Sequence, residues 1–170
     1  AVAPTGSGKT AAFLLPTLAL LVQTSVSKRA AGAGPRSLLL APTTELAAQL
    51  FREAERLRLG GGRHVRRCVL LNRARAASLL SAAAASEKQA AYDVDIAVST
   101  PMRVVHLIRG GRQDDGSHVV KLSLARLEVF VLDEADKLFD LDFVEQIDEI
   151  LTACGGGGGA GQEEGGARRP

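Results

Sequence analysis

The sequence predicts a three-layer α/β domain on a mostly parallel sheet. Apolar runs of strand length alternate with segments of helical periodicity, the pattern of repeated strand-helix-strand units. Each apolar run is nearly continuous, as expected for strands covered on both faces. A glycine-rich loop at 3–10 joins a strand-like end to a helical run, where such sheets place their ligand sites.

Residues 1–3 read as the tail of a strand, and the start of the chain is expected to be a cut within a longer protein. A helical run follows from Thr10. Strands are expected at 37–41, 65–71, 94–99 and 127–132. Between them, 45–58 carries Leu46, Leu50, Ala54 and Leu57 at spacings that share one helical face. An alanine-rich helix is expected at 75–91 and a short one at 102–109. A last helix at 143–153 is expected to set Phe143, Ile147, Ile150 and Leu151 on one side. Residues 1–153 thus form one expected domain. The stretch 154–170 is glycine-rich and aperiodic, so it buries too little to offset its ordering entropy and reads as a flexible tail or insertion.

With 170 residues the chain is long enough for one substantial core. No uninterrupted apolar stretch reaches the roughly 18 residues a membrane helix needs, so no membrane partner is expected. Cys68 and Cys154 are far apart and have no metal-ligand spacing, as have His64, His106 and His118, so buried or incidental roles are expected. The net charge of +2 hides an asymmetry. Residues 1–75 hold 12 Lys and Arg against 3 Glu, whereas residues 76–170 hold 9 against 16 acidic residues. Arg52, Arg56, Arg58, Arg63, Arg66, Arg67, Arg73 and Arg75 would suit a phosphate backbone, although a solvated helix face with a basic loop fits them equally.

The loop reads Ala3-Pro4-Thr5-Gly6-Ser7-Gly8-Lys9-Thr10. In such a loop successive backbone N–H groups converge on one point, and the following helix adds its dipole. Gly6 and Gly8 let the backbone approach phosphate oxygens. Lys9 would reach the β- and γ-phosphates and the Thr10 hydroxyl would ligate Mg²⁺, which makes ATP and Mg²⁺ the expected ligands. The generic pattern starts with Gly where this chain has Ala3, a position that supplies none of those contacts. Such a site needs a carboxylate at a nearby strand end. Asp133 ends the apolar run 129–132, and Glu134 beside it is placed to polarise an attacking water. Taken singly, 133–136 also reads as an acidic helix start.

With these residues in view, the chain resembles the DEAD-box family of RNA helicases, named for the string Asp133-Glu134-Ala135-Asp136. Residues 3–10 are similar to its motif I and 41–49 to motif Ia. Residues 99–103 are similar to motif Ib and 133–136 to motif II. The resemblance spans 1 to about 153 and implies a RecA-like P-loop NTPase domain, the first of two in the family, incomplete here at both ends. It implies a nucleotide contact through Ala3, Thr5, Gly6, Ser7, Gly8, Lys9 and Thr10, and catalysis through Lys9, Asp133 and Glu134. Mg²⁺ would be held by Thr10 and Asp133. It further implies sequence-independent contacts to the RNA sugar-phosphate backbone from Pro42, Thr43, Thr44, Glu45, Thr100, Pro101 and Arg103, although Thr43 and Thr100 also suit plain helix N-caps. Motif Ia usually has Arg where this chain has Thr44, motif Ib usually has Gly where it has Met102, and the glycine pair expected after the third strand is replaced near Asn72-Arg73.

The stretch 121–154 resembles the subgroup acting on small-subunit ribosomal RNA in the nucleolus, which implies a nuclear location and pre-ribosomal protein partners. In the family the second RecA-like domain supplies arginines to phosphoryl transfer, so these 170 residues alone are expected to hydrolyse ATP poorly. The alternative is a truncated module that holds nucleotide or RNA without unwinding.

Overall fold

The computed structural model describes residues 8–24, 34–60, 65, 67–72, 94–112, 118–119, 122–140 and 142–155. In chain order these form α1 (Lys9–Thr24), β1 (Ser37–Leu40), α2 (Thr44–Gly60), β2 (Cys68–Leu70), β3 (Ile96–Ser99), α3 (Pro101–Arg109), β4 (Gly111–Arg112), β5 (His118–Val119), β6 (Val129–Leu132), α4 (Ala135–Asp140) and α5 (Val144–Gly155). The expected strand tail at 1–3, the helix at 75–91 and residues 156–170 of the glycine-rich stretch lie outside the described residues.

Four strands pair in parallel in the order β2-β3-β1-β6, while β4 and β5 form a separate antiparallel pair. The side-chain period of two along each strand divides the core into two halves. Leu38 and Leu40 of β1, Val69 of β2 and Ala97 of β3 face one way, onto Val104, Val105, Leu107 and Ile108 of α3 and Ile150 of α5. Leu39, Cys68, Ile96 and Val98 face the other way, onto Leu14, Leu18 and Leu21 of α1 and Ala47, Leu50 and Ala54 of α2. Helices on both faces of a parallel sheet make the three layers that the near-continuous apolar runs predict.

Two expectations need correction. Leu151 is 47% exposed, because Ile147 and Ile150 take the inward face of α5 and the next position turns about 100° away. The strand at 127–132 is covered less than its apolar run suggests. All four residues of β6 are half-buried; β6 is one edge of the described sheet and pairs there with β1. Pro16 sits inside α1 on an exposed position, where its missing N–H removes one helix hydrogen bond without opening the core.

At the amino edge of the sheet Arg36 is buried to 1% exposure. It precedes β1, Asp95 precedes β3 and Glu128 precedes β6, and the register Ser37↔Ile96 and Ser37↔Val129 sets all three side by side. The guanidinium pairs with Glu128 at 2.9 Å and Asp95 at 3.3 Å, so the buried charge is satisfied by two carboxylates.

Candidate functional site

At the opposite, carboxyl edge of the sheet, the elements converge on a cleft of about 570 Å³. Gly8, Lys9, Thr10 and Ala11 enter it from the start of α1, Leu46, Gln49, Leu50, Arg52, Glu53 and Arg56 from α2, and Asp133 and Glu134 from the end of β6. Of the nucleotide-loop residues named from the sequence, Ala3, Thr5, Gly6 and Ser7 lie outside the described residues. Gly8 has φ +81°, a left-handed conformation that glycine adopts without a Cβ penalty. Its carbonyl accepts from the Ala12 N–H at 3.0 Å and so starts α1, leaving Lys9 and Thr10 at the helix entrance where N–H groups and dipole favour an anion.

Asp133 is held by its own N–H donating to the Leu40 carbonyl at 2.8 Å, which continues the sheet one residue past β6. Its carboxylate accepts from the Glu134 N–H at 3.1 Å. Burial, and then the neighbouring Glu134 charge, push the Asp133 pKa above the ordinary aspartate value, against the opposing pull of that N–H, Lys9 and Lys137. Glu134 adopts φ +52°, uncommon for a residue with a side chain and a feature that collects at functional sites. Its carboxylate is ion-paired with Lys137 one helical turn on. That pair holds the Lys137 pKa above its ordinary value.

The motif Ia and Ib residues lie along the same edge, after β1 and β3. Pro42 is buried, while Thr43, Thr44 and Glu45 are exposed at the start of α2. Thr43 is an N-cap, its hydroxyl accepting from the Leu46 N–H at 3.2 Å. The Glu45 pKa is held below the usual range by its own N–H and then the neighbouring Thr44 and Thr43 hydroxyls, against the effect of desolvation. Thr100 caps α3 through its backbone, with no side-chain cap hydrogen bond, and buried Pro101 occupies the first turn, where a missing N–H costs nothing. Arg103 is half-buried on that turn.

Among the described residues of the expected arginine stretch, two arginines are ion-paired along α2. Arg56 pairs with Glu53 at 2.7 Å, and Arg58 pairs with Glu55 at 2.7 Å while donating to the Val65 carbonyl. Of the described members of that set, Arg52 and Arg56 line the cleft; Arg63, Arg66, Arg73 and Arg75 lie outside the described residues. Sequence reasoning missed Gln49, Arg52 and Arg56 as cleft residues and Lys137 as the partner of Glu134. The signal was available in both cases, since 49, 52, 53 and 56 share a helical face and 134 and 137 are three apart.

Comparison with known proteins follows the same lines. The family described as DEAD/DEAH box helicase matches residues 1–163. The ATP-dependent RNA helicase CHR1 of Candida albicans is 40% identical over 154 residues, covering 91% of this chain and 23% of that protein. The ATP-dependent RNA helicase ROK1 of Eremothecium gossypii is 40% identical over 158 residues, covering 91% and 24%. This chain therefore spans about a quarter of the length of these curated relatives. Among solved structures, a DEAD box protein from Methanococcus jannaschii aligns with TM-score 0.61 and 29% identity, over 91% of this chain and 35% of that one. The yeast DEAD-box splicing factor Prp28 aligns with TM-score 0.62 and 28% identity, over 94% and 33%.

Proposed function

Since the chain belongs to the DEAD/DEAH box helicase family, we propose that residues 1–153 are the first RecA-like domain of an ATP-dependent RNA helicase, one that couples ATP hydrolysis to local separation of RNA duplexes. The observation that carries this reading is the convergence of Lys9 and Thr10 with Asp133 and Glu134 on one cleft, from elements more than a hundred residues apart in sequence.

The donor set suits a magnesium-bound triphosphate. A hydroxyl and a carboxylate are hard oxygen donors, and Mg²⁺ at phosphate-transfer sites is held by one or two protein groups together with phosphates and water. The raised pKa of Asp133 marks a carboxylate whose charge lacks full compensation, which a bound cation would supply. Thr10 and Asp133 would hold the ion, whose chemistry is to neutralise charge on the β- and γ-phosphate oxygens. Lys9 and the N–H groups at the α1 entrance bind and orient the triphosphate. Glu134, which lines the cleft, orients the attacking water and accepts its proton.

For RNA, exposed Thr43 and Thr44, half-buried Thr100 and the N-termini of α2 and α3 share one edge of the sheet with the nucleotide cleft, an arrangement suited to backbone phosphates and indifferent to base sequence. Pro42, Glu45, Pro101 and Arg103 support that surface. The likeness of 121–154 to helicases of small-subunit ribosomal RNA processing supports a nucleolar role with pre-ribosomal proteins as partners.

In the full-length protein, Glu134→Gln should lower RNA-stimulated ATPase by about 10²-fold or more. Lys9→Ala should abolish nucleotide binding. Unwinding at the wild-type rate in either variant would remove the site. Titration of RNA and DNA with a non-hydrolysable ATP analogue tests the substrate class, and equal or tighter DNA binding would overturn the RNA assignment.

A further inference from the structure

We propose that Arg36, on the edge of the sheet remote from the cleft, is a positioning residue for the nucleotide site: it locks the far end of α1 to three strand starts and thereby sets Lys9 and Thr10 against Asp133. The inference rests on the nucleotide site proposed above.

Four side-chain hydrogen bonds and a short contact run from this one guanidinium. Nε donates to Glu128 Oε1 at 2.9 Å, and Nη1 to the Leu21 carbonyl at 3.0 Å and to Asp95 Oδ1 at 3.3 Å. Nη2 donates to Glu128 Oε2 at 3.3 Å and to the Thr24 hydroxyl. Thr24, the last residue of α1, closes the ring by donating to Glu128 Oε2 at 2.7 Å. The backbone runs the same way, with Ser37 N–H on the Asp95 carbonyl at 2.8 Å and Glu128 N–H on the Arg36 carbonyl at 2.7 Å. Arg36 therefore fastens the C-terminal turn of α1 to the starts of β1, β3 and β6.

The consequence is mechanical. Helix α1 carries Lys9 at one end and Thr24 at the other, roughly 22 Å apart at 1.5 Å per residue. Likewise β6 carries Asp133 at one end and Glu128 at the other. A knot that joins Thr24 to Glu128 thus fixes one end of each of the two elements whose opposite ends form the cleft. A tilt of α1 by about 5° about that knot would displace Lys9 by roughly 2 Å, and a misplacement of about 1 Å at a reacting group can cost some 10²-fold. Buried ion pairs add little net stability but are well suited to setting register, and the planar fork of Arg spans two carboxylates, a carbonyl and a hydroxyl that the point charge of Lys cannot.

The test uses the full-length protein with Arg36→Lys and Thr24→Val, the second leaving both ion pairs intact. Affinity for a fluorescent non-hydrolysable ATP analogue and affinity for single-stranded RNA without nucleotide are measured well below the melting range, and the thermal midpoint is measured alongside. Arg36→Lys should weaken nucleotide binding by about 10- to 100-fold and Thr24→Val by about three- to tenfold, with RNA affinity unchanged in both. A purely structural role would lower the midpoint, or weaken both ligands in parallel, with no selective loss of nucleotide; either result overturns the proposal. If Arg36→Lys does not fold, Thr24→Val decides. Undiminished nucleotide affinity in Lys9→Ala would instead remove the underlying site, whatever the Arg36 variants do.

Discussion

Replacing either of two left-handed glycines by alanine should cost very different amounts, because only one of them is also crowded. Gly8 has φ +81° and a Cβ built there meets no atom within 4 Å. Its penalty is conformational alone, about 1–2 kcal/mol. Gly34 has φ +110°, and its Cβ would stand 2.0 Å from the Ser123 carbonyl oxygen and 3.0 Å from the carbonyl carbon. That oxygen belongs to backbone, so relief requires the segment before β6 to move by more than an ångström. Overpacking of this kind adds about 1–3 kcal/mol, for a total of roughly 2–5 kcal/mol. At about 2–4 °C per kcal/mol for a chain of this size, Gly8→Ala should lower the thermal midpoint by roughly 2–8 °C and Gly34→Ala by roughly 4–20 °C. Urea melts at constant m-value give the two free energies directly. Equal costs, or a larger cost at Gly8, would refute the reasoning, since the backbone penalty would then outweigh the Ser123 contact.

Further outcomes follow from single groups. Asp133 has a raised folded-state pKa, so its stabilising contribution is complete below the unfolded-state value near 3.8 and lost as pH rises through the folded one. Asp133→Asn should therefore stabilise the ligand-free protein at pH 7 by less than about 1 kcal/mol, with the gain vanishing in acid, while losing the stabilisation that saturating Mg²⁺ and nucleotide confer on the wild type, about 2.7 kcal/mol at a hundredfold excess over Kd. Melting curves across pH check both signs. Thr43→Ala should cost about 1 kcal/mol through the lost cap bond and Thr43→Ser almost nothing; equal stability of the two would sink the capping role. Burial pushes the Cys68 thiol up to about 12, so maleimide at pH 8 should label the half-buried Cys154 first, as followed by mass spectrometry. Equal labelling rates would contradict the burial of Cys68.

Local pattern made most of the architecture legible. The strand at 37–41 emerges as Ser37–Leu40 and the helix at 45–58 as Thr44–Gly60, because apolar period and helix-starting residues act over a few positions. Lys9 and Asp133 likewise stand at element ends, as the pattern around them predicts, and line one cleft. Leu151 was misplaced because α5 packs with Ile147 and Ile150 inward, and the position one residue on lies about 100° round the helix, beyond what the sheet covers there. The half-burial of β6 is decided by what packs over its two faces, which composition does not encode.

Sequence was sufficient for the four parallel strands, for α1, α2, α3 and α5, and for the acidic strand end, since each depends on neighbours within one or two turns of chain; it did not foresee the short β4, β5 and α4. The burial of Arg36 was set elsewhere. As an isolated residue it reads as one more surface arginine. It becomes the most enclosed charge described only because parallel pairing brings Asp95 and Glu128 to its two sides and the end of α1 over it. Register between strands distant in sequence is a tertiary quantity, and both the cleft and the knot opposite it depend on that register.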